Sequence, residues 1–181
     1  MDSDLLACAE KYQHFDIIAS YCLQRNTTDL WNKILNKYFD ENVNISVLPI
    51  QEQFFKEILR TVGQCSDVHR VKSFINCISA LKDQNNLTKA LHYLIIDVPS
   101  SAIASNEEYQ TLLIRLSCEH QPSQTMAYIK KLKNYDTELI RDKLIKNKLY
   151  EEAFEMLKSH SKECEAMDIL LNYINVIFTI F

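Results

Sequence analysis

Glycine is nearly missing: the 181-residue chain has one, Gly63, where average usage of about 7% would give roughly a dozen. Phosphate-cradling loops, dinucleotide fingerprints and nucleophile elbows each need glycine where the backbone turns sharply or meets a ligand. No Gly-x-Gly, Gly-x-Ser-x-Gly or P-loop pattern can be written here. Hairpin-rich β folds are disfavoured on the same ground. Cys8, Cys22, Cys65, Cys77, Cys118 and Cys164 contain no Cys-x-x-Cys pair, so they read as buried, unpaired thiols in a reducing cytosol, with zinc binding as the alternative. The start Met1-Asp2-Ser3-Asp4 is acidic rather than leader-like, and the sequons at Asn26, Asn44 and Asn86 then read as by-products of an asparagine-rich sequence. Long apolar runs are missing too. Ile169 to Phe181 spans 13 residues and includes Asn172, Tyr173 and Asn175, whereas a bilayer crossing needs about 20 mostly apolar residues. No direct membrane insertion is expected.

With 47% hydrophobic and 24% charged residues and a net charge of −4, the composition is globular and argues against a dedicated nucleic-acid binder. Helical periodicity runs through the chain. Leu5, Leu6, Ala9 and Tyr12, then Phe15, Ile18, Tyr21 and Cys22, predict an antiparallel helix hairpin with a very short turn. Thr27 is placed to cap a third helix carrying Leu30, Trp31, Ile34 and Leu35 and ending near Phe39. Asp40 to Val47 reads as loop. Phe54, Phe55, Ile58, Leu59 and Val62 mark a helix that Gly63 can end in the left-handed conformation. A helix from about Asp67 bears Val68, Val71, Phe74, Ile75 and Ile78, and Asn86 is expected to cap another with Leu87, Ala90, Leu91 and Leu94.

Ser105-Asn106-Glu107-Glu108 reads as a capping box, Pro122 as a first helical residue and Asp136 as a cap before Leu139, Ile140, Leu144 and Ile145. Leu149, Ala153, Phe154 and Leu157, then Ala166, Ile169, Leu170 and Tyr173, close a series of about eleven helices. No segment alternates strictly enough for a strand. A weak echo links Ala90-Leu91, Thr125-Met126 and Ala153-Phe154, at spacings of 35 and 28 residues. Units of that length cannot bury a face alone and must stack, which predicts an all-α, right-handed α-solenoid of stacked antiparallel helix hairpins. The alternative is a closed bundle. In the solenoid, Ala153 falls where helices approach closely.

Chemistry is hard to find. Cys118 and His120 are two apart and point away from each other on a helix, so they do not share a metal. His14 precedes Phe15-Asp16 in a turn; His69, His92 and His160 sit on polar faces without an acidic partner at four-residue spacing, and Glu151 and Glu152 diverge by about 100° around a helix. No catalytic, cofactor-binding or metal residue is therefore assigned, and no cofactor is expected. Lys130, Lys131, Lys133, Arg141, Lys143, Lys146 and Lys148 outnumber Asp136, Glu138 and Asp142. This bias suits phosphate or an acidic partner, but without interleaved aromatics it does not make a nucleic-acid platform.

Asn134-Tyr135-Asp136, Asn147-Lys148-Leu149-Tyr150-Glu151-Glu152-Ala153-Phe154 and Ala166-Met167-Asp168-Ile169-Leu170 resemble the clathrin heavy chain leg. Met126-Ala127-Tyr128-Ile129-Lys130-Lys131-Leu132, and Tyr21-Cys22-Leu23 followed by Asp29-Leu30-Trp31, are similar to further stretches of it. The resemblance runs from about Leu5 to Asn175. It implies a clathrin-repeat α-solenoid over 1–175, with no enzyme activity, whose partners are other heavy chain legs in the lattice of cytoplasmic coated vesicles and coated pits. Light chain and adaptors are not expected to bind this segment. The tail Val176-Ile177-Phe178-Thr179-Ile180-Phe181 departs from the polar turn and helix found in the family, as a truncated reading frame would. The rival readings are a clathrin-repeat subunit of a vesicle-tethering complex and a helical hydrolase or metal enzyme.

Overall fold

The computed structural model describes residues 2–39, 48–81 and 84–174. Asp40 to Val47, with the Asn44 sequon, and the tail Val176 to Phe181 lie outside the described residues. Eleven α-helices and two π-helical turns are found among the described residues, with no strand. They form two compact units, Met1–Ala104 and Ser105–Phe181.

The first unit contains α1 (Asp2–Lys11), α2 (Phe15–Arg25), α3 (Thr28–Phe39), α4 (Leu48–Gly63), α5 (Val68–Ala80) and α6 (Gln84–His92), which runs into a π turn at Tyr93–Asp97. α1 packs on α2, α2 on α4, and α4 on the π turn that ends α6, while α3 packs on α5. Alternate helices thus form two rows, and the helices meet mainly neighbours one or two places away in the chain, with α2 also touching α5. Aromatic rings seal the rows together. Phe15 meets Tyr38 and Phe54 edge-on at 5.8 and 5.3 Å, Tyr38 stacks on Phe54 at 3.8 Å, and Trp31 lies 5.0 Å from Phe74. All are buried, and each side chain of this kind contributes about 1.5–3 kcal/mol by leaving water.

The second unit contains α7 (Glu107–His120), α8 (Pro122–Lys131), α9 (Thr137–Lys146), α10 (Tyr150–Ser159) and α11 (Glu163–Ile169), which ends in a π turn at Leu170–Ile174. α7 packs on α8 and α9, and α10 packs on α8, α9 and α11. The same two-row order results, with α7 and α9 in one layer and α8 and α10 in the other. Helix hairpins stacked in chain order within each unit are the α-solenoid arrangement, in which a hairpin buries its apolar face only against the next.

Local chemistry explains most of the boundaries. Asp67 Oδ1 accepts from the backbone of His69 and Arg70, and Asp136 Oδ1 from Glu138 and Leu139, each satisfying orphan donors of a first turn. Pro122 opens α8, where its missing N–H costs nothing. Three expectations need correction. The cap of α7 is Asn106, whose Oδ1 accepts from Tyr109 N at 3.3 Å, and not Ser105. Asn86 lies inside α6, which starts at Gln84. Gly63 is the last residue of α4 and does not adopt positive φ; its bare Cα instead faces Tyr93, Leu94 and Val98 around the π turn.

The periodic stripes also overreach in places. Tyr12, Val68 and Leu139 are exposed, since period fixes which residues share a face and not whether anything covers it.

Candidate functional site

The residues weighed for chemistry stay apart. Cys118 is buried on α7 while His120 is exposed at its end, and burial pushes the Cys118 thiol up to about 11. Cys22 and Cys77 are buried as well, with Cys22 raised to about 12 by desolvation and by the Cys77 charge. Cys8 and Cys164 are exposed, against the expectation that all six would be buried. His92 approaches Asp97 at 3.6 Å, five residues on, a spacing that the intervening π turn brings round. His160 is more than a polar-face residue: it meets the Tyr135 ring edge-on at 5.1 Å, and its Nδ1 lies 3.0 Å from the Met156 carbonyl oxygen. Glu151 is exposed and Glu152 half-buried on successive helix positions. Among the described residues, no three His, Cys, Asp or Glu side chains converge on a possible metal position, and no helix is long and apolar enough to cross a membrane.

What the structure does assemble is the contact between alternate helices. Asn134 donates its backbone N–H to Gln110 Oε1 at 2.9 Å and its side-chain amide to Ser105 O at 2.7 Å, while Asp136 N donates to Thr111 Oγ1 at 2.9 Å. Tyr135 between them is buried, and desolvation raises its phenol to about 12. The Asn-Tyr-Asp turn therefore does three things at once: it laces the end of one hairpin to α7, plugs the core with a ring, and caps α9.

Charge continues the lacing. Lys143 pairs with Glu119, Arg141 Nη1 reaches Glu165 at 2.7 Å and Lys162 lies 3.7 Å from Glu138, joining α7 to α9 and α9 to the start of α11. The partners recur about 24 residues apart, as do Asn134 and Gln110. That recurring offset follows from the stacking of alternate helices and shows only once they are placed. Two members of the basic run, Arg141 and Lys143, are thus engaged, whereas Lys130, Lys131, Lys133, Lys146 and Lys148 are exposed.

Two depressions open on the second unit. A groove of about 560 Å³ on the α7/α9 layer is lined by Glu107, Glu108, Leu112, Arg115, Asp136 and Leu139, among others. A smaller cleft of about 170 Å³ on the α8/α10 layer is lined by Ile129, Lys130, Lys133, Glu155, Ser159 and His160, among others. In the smaller cleft the Ser159 hydroxyl donates to the Met156 carbonyl oxygen at 2.8 Å and lies 3.1 Å from His160 Nδ1, which itself sits 3.0 Å from that carbonyl, so the pair is turned onto the backbone of its own helix.

Comparison with known proteins agrees with the stacking of alternate helices. The chain is 27% identical over 175 residues to "Probable clathrin heavy chain 1" of Caenorhabditis elegans, which covers 96% of this chain and 10% of that protein. It is 26% identical over 175 residues to "Clathrin heavy chain" of Drosophila melanogaster, with the same coverage, and 25% identical over 177 residues to "Clathrin heavy chain 1" of Arabidopsis thaliana, covering 97% of this chain and 10% of that protein. The chain thus spans about a tenth of the length of these relatives. No solved structure matches. The family described as "Clathrin: Region in Clathrin and VPS" matches residues 65–177, more than half of the chain and all of the Asn134 to Ile169 stretch, and the protein is a divergent member of that clathrin repeat family.

Proposed function

We propose that the chain is a structural scaffold segment of the clathrin heavy chain type, acting through contacts with other heavy chains and not by catalysis. The observation that carries this reading is the stacking of alternate helices in each unit, stitched in the second by the Asn134-Tyr135-Asp136 turn and by ion pairs about 24 residues apart. It is combined with the family match over residues 65–177. Hairpins stacked in this way bury their apolar faces against one another and leave their outer faces for contact, which suits a lattice. On this reading residues 1–175 form one repeat segment and 176–181 a departing apolar tail. The segment works at coated vesicles and coated pits on the cytosolic side of membranes, in intracellular protein and vesicle-mediated transport, and light chain and adaptors engage other parts of a heavy chain. The relatives named above are clathrin heavy chains, which favours this over a subunit of a vesicle-tethering complex.

The test is a chimera in which the matching segment of a clathrin heavy chain is replaced by residues 5–175 of this chain. Purified chimera should assemble into coats visible by electron microscopy. A chimera that stays soluble and fully helical yet forms no coats overturns the scaffold reading.

A further inference from the structure

The two depressions of the second unit carry opposite charge and lie on different layers of the stack. Glu107, Glu108 and Asp136 set three carboxylates against the one guanidinium of Arg115 in the α7/α9 groove. Leu112 and a 41%-exposed Leu139 give that groove an apolar floor. The groove is rigid, because Asn134 and Asp136 pin the start of α9 to α7 through the hydrogen bonds to Ser105, Gln110 and Thr111. In the α8/α10 cleft Lys130 and Lys133 face one carboxylate, Glu155, and Lys131 stands exposed beside them. These lysines belong to the basic run for which the packing of the unit provides no use.

From this complementarity we infer that the acidic α7/α9 groove of one copy receives the basic rim of the α8/α10 cleft of a second copy, in a head-to-tail contact. A contact between two different patches is heterologous and propagates, in contrast to a two-fold dimer that closes on itself. That is the kind of contact an open lattice or filament needs. Leu139 supplies apolar area at the centre, and the charges select the register and exclude the same-face pairing, in which like charges would meet. The inference rests on the scaffold reading and names one surface through which it operates.

Charge reversal tests it in the full chain. Self-association is followed by sedimentation velocity across a hundredfold dilution series at low salt, where exposed charges are least screened. The unaltered chain should associate, and added salt should weaken it. Glu107→Lys with Glu108→Lys makes both depressions basic, and Lys130→Glu with Lys133→Glu makes both acidic, so each double variant alone should associate about tenfold or more weakly. An equimolar mixture of the two should restore association, because every reversed surface then finds its complement. All four residues are exposed, and circular dichroism confirms that each variant keeps its helices. A monomeric unaltered chain, variants that associate as the unaltered chain does, or a mixture that fails to recover each overturns the contact. Assembly of the chimera described above alongside any of these results would discard this surface and leave the scaffold reading standing.

Discussion

Gln13, Asn26, Lys148 and Ser161 have φ of 56°, 49°, 61° and 58°, the left-handed region in which a side chain costs about 1–2 kcal/mol. Three of them end helices in the same way. His14 N donates to Ala9 O and Gln13 N to Glu10 O; Leu149 N to Leu144 O and Lys148 N to Ile145 O; Lys162 N to Leu157 O and Ser161 N to Lys158 O. Each is a Schellman motif, where glycine is the usual residue, and each is followed at once by the next helix. The lone glycine sits elsewhere, in helical conformation, where a Cβ would meet Tyr93 Cε1, Val98 Cγ2 and Leu94 Cδ2 at 3.4, 3.5 and 3.6 Å, all ordinary contact distances. The two situations predict opposite substitutions with the same sign. Gly63→Ala should stabilise by about 0.4–1 kcal/mol through the unfolded chain, and Lys148→Gly or Ser161→Gly by about 0.5–1 kcal/mol through relief of strain. Urea unfolding measures both. A loss of stability in Gly63→Ala would mean that the contact with the π turn has no room to give, and a loss in both glycine variants would mean that the strain is already compensated.

At the scale of the element, the Glu119–Lys143 pair shows how the α7/α9 contact responds to pH. The hydrogen bond from Lys143, more than its charge, holds the Glu119 carboxyl below the ordinary value of 4.5, against a smaller desolvation effect. A carboxylate lowered by folding contributes fully above that ordinary value and loses the contribution as pH falls through the folded one. Both partners lie near the surface, so the effect is about 1 kcal/mol or less. Stability should therefore decline below about pH 4.5 less steeply in Glu119→Gln than in the unaltered chain; parallel profiles would show that the pair contributes nothing. This contact was not legible in the sequence, whereas the cap at Asp136 and the helix starts near Asp67 and at Pro122 were. Capping is decided within three residues, while Glu119 and Lys143 are 24 apart and only the stacking of alternate helices brings them together. Ser105 and Asn106 are both competent caps, so the one-residue choice between them was open locally. Glycine-free Schellman turns hide the commonest stop signal, and the exposure of Leu139 and the charge of the groove around it depend on which layer faces outward.

At the scale of the molecule, the contacts that stabilise each unit join mainly helices one or two places apart in the chain, α2 with α5 being three apart, so damage should stay local, as in a one-dimensional array. Ala153 offers the sharpest probe. It is fully buried on α10, the helix that packs on α8, α9 and α11, and a larger side chain there overpacks a site with no space, at about 1–3 kcal/mol. Hydrogen exchange read by mass spectrometry should show Ala153→Leu losing protection in α8, α9, α10 and α11, with α2, α3, α4 and α5 unchanged. Glu151→Ala, two residues earlier and exposed, should shift protection by less than about 0.5 kcal/mol anywhere. Equal effects of the two substitutions would reverse the assignment of the buried face of α10. Protection lost evenly from residue 2 to residue 174 would instead show that the described helices unfold as one cooperative body, and the stacking of hairpins would then not be the source of stability that the local contacts imply.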